Sequence, residues 1–364
     1  MGDRQGAVED LAVNGSFWDG KVVLVTGHTG FKGGWLALFL ARMGAKVHGY
    51  ALAPATEPNL FGAARVASLL AGHTIADIRD TATLRRTVEA VRPQIVFHLA
   101  AQPLVRQSYL DPVETYDVNV MGTLHLLEAV RATSGVQAVV NVTTDKCYDN
   151  KEWPWGYREV EALGGRDPYS SSKACAELVT AAYRDSFLAK GGISVATARA
   201  GNVIGGGDWA PDRLVPDFFR AVQSGRPLEV RYPDATRPWQ HVLEPVSGYV
   251  ELAYRLASEG KAYAEPWNFG PSDDDARPVA WLLDRLVARV PGAAWQHVGG
   301  DHLHEAGYLK LDSSKARSKL DWQPCWDLSE ALDKTVEWNA AWLRGDDMHQ
   351  VCMQQIDLHQ SGRA

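Results

Sequence analysis

Tyr169 and Lys173 stand four residues apart in the run YSSSK. On a helix, that spacing puts both side chains on one face. A tyrosine is a poor base at its ordinary pKa of about 10. An ammonium group beside it stabilises the phenolate and lowers that value. Such a pair suits the oxidation of an alcohol, in which the phenolate takes the hydroxyl proton while a hydride leaves the carbon. The same lysine can hydrogen-bond a ribose. Many exposed helices carry Tyr-x-x-x-Lys by chance, so the pattern gains meaning only beside a cofactor site.

Residues 22–45 supply that site. The apolar, β-branched run at 22–25 suits a buried strand. Gly27, Gly30 and Gly33 follow, and then Trp35, Leu36, Leu38, Phe39, Leu40 and Met43 recur at helical spacing. Glycines at a strand-to-helix turn permit a tight bend, close approach of a pyrophosphate, and close helix–strand packing. The helix start offers free N–H groups and a positive dipole end to phosphates. The loop Gly27, Thr29, Gly30, Phe31, Lys32 and Gly33 therefore reads as a dinucleotide cradle. The plainer reading is an ordinary Gly-rich turn. In many NAD proteins an acidic residue about 20 positions further on binds the ribose 2′-hydroxyl. Here the second strand ends in His48, Gly49 and Tyr50, without a carboxylate. NAD and NADP both stay open on these residues, and Lys32 either meets a 2′-phosphate or is solvated. Asp77 and Ile78 suit an adenine pocket, the carboxylate accepting from the amino group and the aliphatic chain covering the ring. Ala100, Ala101 and Gln102 end a strand on small side chains, against which a cofactor can lie. Asn119 completes the expected cofactor set.

The elements that must position these residues alternate. Strands are predicted at 22–25, 46–52, 74–80, 95–102, 136–142 and 193–200, with helices after the Gly loop and at 84–91, 112–132 and 168–187. Apolar strands between helices predict an α/β fold: a Rossmann-like, doubly wound parallel sheet over 17–200. A segment near 236–260 is expected to join it. Beyond Ala200 the chain turns rich in glycine and proline, with helices at 215–223 and 246–258. This predicts a smaller C-terminal α/β substrate-binding lobe over 201–350. Residues 1–16 and 351–364 read as polar tails, the second prone to fray.

Composition narrows the function classes. The chain has 364 residues, 46% hydrophobic and 22% charged, as in an ordinary globular enzyme. A net charge of −7 leaves no basic footprint for nucleic acid. Cys147, Cys175, Cys325 and Cys352 show neither a Cys-x-x-Cys pair nor zinc spacing, so they read as reduced thiols of a cytoplasmic protein, and no metal site is expected. The start lacks the pattern of a signal peptide, and no apolar run is long enough to span a membrane. The 13 tryptophans read mostly as packing.

The stretches VTGHTGFKGGWL, VFHLAAQPLVRQSY, TTDKCYDNKEWPWGYRE, DPYSSSKACAELV, RAGNVIGGGDWAPDRLVPD and RPWQHVLEP resemble the extended short-chain dehydrogenase/reductases. They are most similar to the CDP-glucose group of nucleotide-sugar 4,6-dehydratases. The likeness runs from about residue 21 to about 349 and leaves out the tail before Phe17. It makes Thr144-Asp145-Lys146 the deciding triplet. An epimerase of this superfamily needs only the Thr and the Tyr–Lys pair, whereas a dehydratase must also remove water. The resemblance implies that Tyr169, assisted by Thr144, takes the proton of the sugar 4-hydroxyl while the C4 hydride passes to NAD. Asp145 then protonates the departing 6-hydroxyl, and the hydride returns to C6, so the net reaction is a dehydration. Most such enzymes carry Glu in the third position, and the CDP-glucose group carries Lys. Lys146 is then either the base at C5 or an enolate stabiliser. As a base it must be partly neutral, which burial or Lys173 favours and Asp145 opposes. The plain alternative for Asp145 and Lys146 is a surface ion pair.

The resemblance further implies CDP-glucose as substrate, a 4-keto-6-deoxy product for deoxysugar biosynthesis such as that of lipopolysaccharide O-antigen, and NAD as cofactor. Asn202 would hold a phosphate or the sugar, and Arg213 and Arg237 the diphosphate, whose oxygens match guanidinium forks. His241 and Tyr308 are weighed between substrate contacts and core roles. Extended members commonly pair through two helices, here 112–132 and 171–187, carrying Val118, Met121, Leu124, Leu127, Ala174, Leu178 and Ala182. A homodimer through a four-helix bundle is the expectation. Two other readings stand beside this one. The first is a nucleotide-sugar 4-epimerase, or a dehydratase for another nucleotide sugar. The second is a non-catalytic dinucleotide sensor, which would have no use for a proton-transfer set.

Overall fold

The computed structural model describes residues 16–299 and 307–363. Its centre is a sheet of seven parallel strands: β1 Val22–Thr26, β2 Lys46–Ala51, β3 Gly72–Ile75, β4 Ile95–His98, β5 Ala138–Val142, β6 Ser194–Ala200 and β7 Pro266–Phe269. Their order is β7-β6-β5-β4-β1-β2-β3. The order reverses beside β1, and there a doubly wound sheet opens a crevice at its carboxyl edge.

The longer helices are α1 Phe31–Arg42, α2 Thr81–Val91, α3 over 112–131, α4 Pro168–Tyr183, α5 Leu214–Gln223, α6 Leu243–Glu259, α7 Val279–Arg289, α8 Leu328–Arg344 and α9 Met348–Arg363. Side chains of a strand alternate between its faces. Val23, Val25, Phe97, Val140 and Ala198 accordingly join one core with Trp35, Leu36, Val246 and Leu252 of α1 and α6. Leu24, Val96, Val139 and Val195 join a second core with Leu84, Val88, Leu126 and Val130 of α2 and α3. Each fully buried aliphatic side chain contributes roughly 1.5–3 kcal/mol. A third core, with Phe218, Leu282, Leu286, Leu328 and Leu332, holds the outer lobe together. Short strand pairs, Leu228–Val230 with Trp295–His297 and Thr236–Pro238 with Ala276–Pro278, complete that lobe.

Two expectations change. The chain returns to the sheet more fully than the segment near 236–260 implied. Besides α6, it adds the edge strand β7 on β6. Pro266–Phe269 is too short to announce itself as a strand, and only pairing with β6 makes it one. The stretch 351–363 is not a frayed tail but most of α9. Met348, Cys352, Ile356 and His359 fall on one buried helix face. His359 Nε2 lies 3.1 Å from a Glu244 carboxylate oxygen, both fully buried. Of the expected leading tail 1–16, residues 1–15 lie outside the described residues.

Burial also sets an acid limit on stability. Loss of solvent pushes His28 down to about 4, with His73 adding and the Tyr50 backbone opposing. It pushes His98 down to about 3, with Lys173 adding. It pushes His241 down to about 3, with Glu244 opposing and His359 and Lys334 adding. Unfolded, each titrates near its ordinary value of about 6.5. Below that value the unfolded chain takes up protons that the native fold refuses, so stability present at neutral pH falls with pH. The slope is about 1.4 kcal/mol per histidine per pH unit. Thermal melting midpoints should drop steadily between about pH 6.5 and about pH 4, and a flat profile there would contradict this account.

Candidate active site

The β1–α1 turn is shaped by two glycines. Gly27 has φ +78, and a Cβ on it would lie 2.7 Å from the Ala100 nitrogen. A Cβ on Gly33 would lie 2.1 Å from the Gly27 oxygen. Gly30 caps α1 with no side-chain bond, which leaves the first-turn N–H groups to an incoming anion. Thr29 Oγ1 donates to the Leu52 oxygen (2.8 Å) and ties this loop to the end of β2. From here a cavity of about 620 Å³ runs both ways along the carboxyl edge of the sheet. Toward β2 and β3 it is lined by Tyr50, Leu52, Asp77 and Ile78, and along β4 by Ala100 and Ala101. In the other direction it reaches Thr144, Asp145, Lys146, Tyr169 and Lys173, then Asn202, Arg213 and Arg237 under the outer lobe. An elongated groove with a bare glycine edge and uncapped amides at its middle fits a dinucleotide.

Thr144, Asp145 and Lys146 sit on the turn just past β5. Thr144 Oγ1 donates to Asp145 Oδ1 (3.0 Å) and is also hydrogen-bonded to the Tyr169 hydroxyl. Asp145 is 2% exposed, and its Oδ2 has no hydrogen-bond partner among the described residues. Burial pushes its carboxyl up from the ordinary range, against the pull of Lys146, Thr144, Arg237 and Lys32. A carboxyl that favours its proton, at the wall of the groove with one oxygen free of hydrogen bonds, can act as an acid. It is not part of a surface ion pair.

The lysine expected to lower the Tyr169 phenol does not dominate it. Burial pushes the phenol up to about 12, with Asp145 adding and the Thr144 hydrogen bond and Arg213 opposing. Lys173 is itself brought down to about 8 by burial, held up by Glu177 and Cys147. Its Nζ donates to the Val142 oxygen (3.4 Å). Desolvation opposes both charged forms, which spacing on a helix does not reveal. Lys32 meets neither of its two expectations. Its Nζ lies 3.5 Å from Tyr249 Oη, in the cavity that Asp145, Tyr169 and Lys173 line. Burial, with Arg213 and Lys173, brings it down to about 7, against Asp145. Tyr249, on α6, carries no local sequence signal and was not among the expected site residues.

Four expected contacts do not line the groove. Asn119 is buried and braces the end of β4: its Oδ1 accepts from the Gln102 nitrogen (2.9 Å) and its Nδ2 donates to the Gln102 oxygen and Ser172 Oγ. Gln102 spends its side chain on Leu104 and Thr115, because the bare edge stops at Ala101. His241 is fully buried between Trp35 and Trp326, its Nδ1 accepting from the Leu243 nitrogen (3.3 Å). Tyr308 pairs by its backbone with Thr236 and Asn150, its ring under Lys310. Residues 300–306 just before it lie outside the described residues. Asp77 lines the groove, already held by the Arg79 backbone N–H and guanidinium. Arg213 Nη1 donates to Asp208 Oδ2 (2.9 Å). Arg237, also buried, donates to the Thr236 oxygen.

Among the described residues, no group of three or more His, Cys, Asp or Glu gathers to hold a metal. No described helix is long and apolar enough to cross a membrane. All four cysteines are free thiols.

A model of GDP-mannose 4,6 dehydratases matches residues 24–264. The chain belongs to this dehydratase family. Within it, the chain is 54% identical over 342 residues to a CDP-glucose 4,6-dehydratase of Salmonella typhimurium, covering 92% of this chain and 95% of that one. Among solved structures, an epimerase of Methanothermobacter thermautotrophicus is similar with a TM-score of 0.77, 25% identity, and coverage of 91% and 96%. MoeE5, solved with UDP-glucose and NAD, is similar with a TM-score of 0.74, 25% identity, and coverage of 88% and 99%. The dehydratase likeness and the Rossmann-like α/β fold read from the sequence both hold.

Proposed function

We propose that this chain is an NAD-dependent CDP-glucose 4,6-dehydratase, converting CDP-D-glucose to CDP-4-dehydro-6-deoxy-D-glucose and water. The observation that carries the reading is the buried carboxyl of Asp145, one oxygen unpartnered, on the turn that also holds Thr144 against Tyr169. A 4-epimerase has no need of such an acid, and a sensor has no need of the set at all. The 54% identity to the Salmonella enzyme supports the nucleotide and hexose.

Bound along the groove, NAD supplies the hydride acceptor and donor, and its oxidised ring brings a positive charge that favours the Tyr169 phenolate. NAD is favoured over NADP because the groove-lining residues from Tyr50 to Ala55, at the end of β2, include no cation for a 2′-phosphate. Tyr169 takes the 4-hydroxyl proton, with Thr144 holding the same oxygen. Asp145 gives its proton to the departing 6-hydroxyl. Lys146, next on the turn, serves C5 as base or as the cation beside the enolate. Asn202, Arg213 and Arg237 hold the sugar and diphosphate under the outer lobe, and Lys32 adds positive charge to the same chamber.

The reading includes a cytoplasmic enzyme and a homodimer through α3 and α4. Support for the dimer comes from large apolar side chains left exposed, Val113 and Met121 on α3, Leu178 on α4 and Phe187 just past its end. Leu127 and Ala174, on another face of the same helices, are buried within the chain. Sedimentation at micromolar concentration should show a dimer, and Leu178→Asp should shift it to monomer. A wild-type monomer would end the dimer proposal.

The function is tested with CDP-glucose deuterated at C4. Loss of water, with deuterium recovered at C6, is the expected result by mass spectrometry and NMR. An unchanged mass with inverted C4 would make the chain an epimerase. No turnover of any nucleotide sugar would leave the sensor.

A further inference from the structure

One buried carboxylate beside this site has no part in the proposed chemistry. Glu177 lies one helical turn past Lys173 on α4 and is 2% exposed. Its two oxygens accept four hydrogen bonds. Oε1 accepts from Thr143 Oγ1 (2.5 Å) and Arg199 Nε (3.0 Å). Oε2 accepts from Thr197 Oγ1 (2.7 Å) and Arg199 Nη2 (2.7 Å). Arg199, equally buried, extends Nη1 to Tyr148 Oη (2.8 Å) and the Glu159 oxygen. Thr143 immediately precedes the Thr144–Lys146 triplet, and Tyr148 follows it by two residues. Directly on one side and through Arg199 on the other, Glu177 therefore clamps both flanks of the catalytic turn. It does so from the helix that carries Tyr169 and Lys173. A buried ion pair adds little net stability over packed apolar side chains, so fold stability alone does not account for this arrangement.

We propose that Glu177 is a positioning residue, which fixes the Thr144–Asp145–Lys146 turn against the Tyr169–Lys173 face of α4 and supplies the anion that Lys173 faces. The inference rests on the dehydratase reading for its kinetic consequences only. Lys173 is also faced by the Cys147 thiol of the turn, by His98 of β4 and by Lys32 of α1. Glu177 is the strongest charge holding the Lys173 proton against burial. Without that charge the ammonium is lost at lower pH.

Three variants of the full chain, assayed with NAD, separate register from charge. Glu177→Gln removes the charge, Glu177→Asp keeps the charge but shortens the reach, and Thr143→Val removes one contact and leaves the ion pair intact. In Glu177→Gln, kcat should fall about a hundredfold, the scale of a small misplacement of reacting groups. KM should hold, and the pH at which the kcat profile stops climbing should move down by about one unit. Glu177→Asp should lose kcat with that pH unmoved, and Thr143→Val should lose about tenfold in kcat. Should Glu177→Gln fail to fold, the other two carry the test of register. A readout free of turnover is the titration of Lys173, followed by NMR in carbon-13 lysine-labelled protein and assigned with Lys173→Met. Its midpoint should drop in Glu177→Gln and stay in Glu177→Asp. Folded variants with wild-type kcat, or an unmoved Lys173 midpoint in Glu177→Gln, would overturn the proposal. A wild type that dehydrates no nucleotide sugar would overturn the dehydratase reading and leave the lysine titration to decide this one.

Discussion

Asp145→Asn is expected to dehydrate CDP-glucose at least about a hundredfold more slowly than the wild type, within the roughly 10²–10⁴-fold worth of a positioned acid or base. The substitution keeps shape and volume. Asn can still accept the Thr144 hydroxyl at the position of Oδ1, so the turn should stand. What disappears is the ability of the second oxygen to hand over a proton. That oxygen is buried and has no hydrogen-bond partner among the described residues, so no neighbouring side chain already bonded to it stands ready to take over. Burial keeps the carboxyl inclined to hold its proton, the state an acid must start from. The measurement is kcat at saturating CDP-glucose, with melting midpoint and KM as controls. Full-speed dehydration by the folded variant would remove Asp145 from the mechanism and the carrying observation with it.

Tyr169→Phe should cost about 10³-fold in kcat, again on the scale of acid–base catalysis. The ring packs at the same place, 9% exposed, so the fold should survive. The pH profile adds a sharper test. Burial sets the phenol high, at about 12, so the base form is scarce at neutral pH and grows tenfold per unit as pH rises. The wild-type rate should therefore climb with pH on the acid side. It should level off above about pH 8, where Lys173 loses its charge as fast as further phenolate forms. The two movements together give a climb followed by a plateau. In Tyr169→Phe the acid-side climb should vanish. A residual rate that keeps the wild-type climb would assign the base elsewhere.

The two sets of residues that these predictions use were not equally visible at the outset. The Gly27-Gly30-Gly33 turn and the Tyr169–Lys173 face are local features, set by backbone conformation and by helical spacing within a few residues. A reader of the chain can place them without knowing what packs where. The alternation of apolar strands and helices is local too, which is why a doubly wound sheet could be expected up to Ala200. Arg213 and Arg237 came from motif likeness and do line the groove. His241, in an equally similar stretch, does not, because Trp35 and Trp326 close over it.

By itself, the amino-acid order determined the glycine turn, the Tyr169–Lys173 pair, five of the sheet's first six strands and the family, with the third strand lying at 72–75 and not at the expected 74–80. Tertiary structure alone decided the rest. It turned Lys32 into the cavity beside Asp145 and Tyr169, brought Tyr249 beside it from far along the chain, set β7 on the sheet edge and sealed Asp145 from water. The division has one physical cause. Dihedral preference and side-chain period belong to a segment, whereas burial belongs to whatever distant elements come to rest on it. Burial is what sets the charge state of Asp145, Tyr169, Lys173 and Lys32.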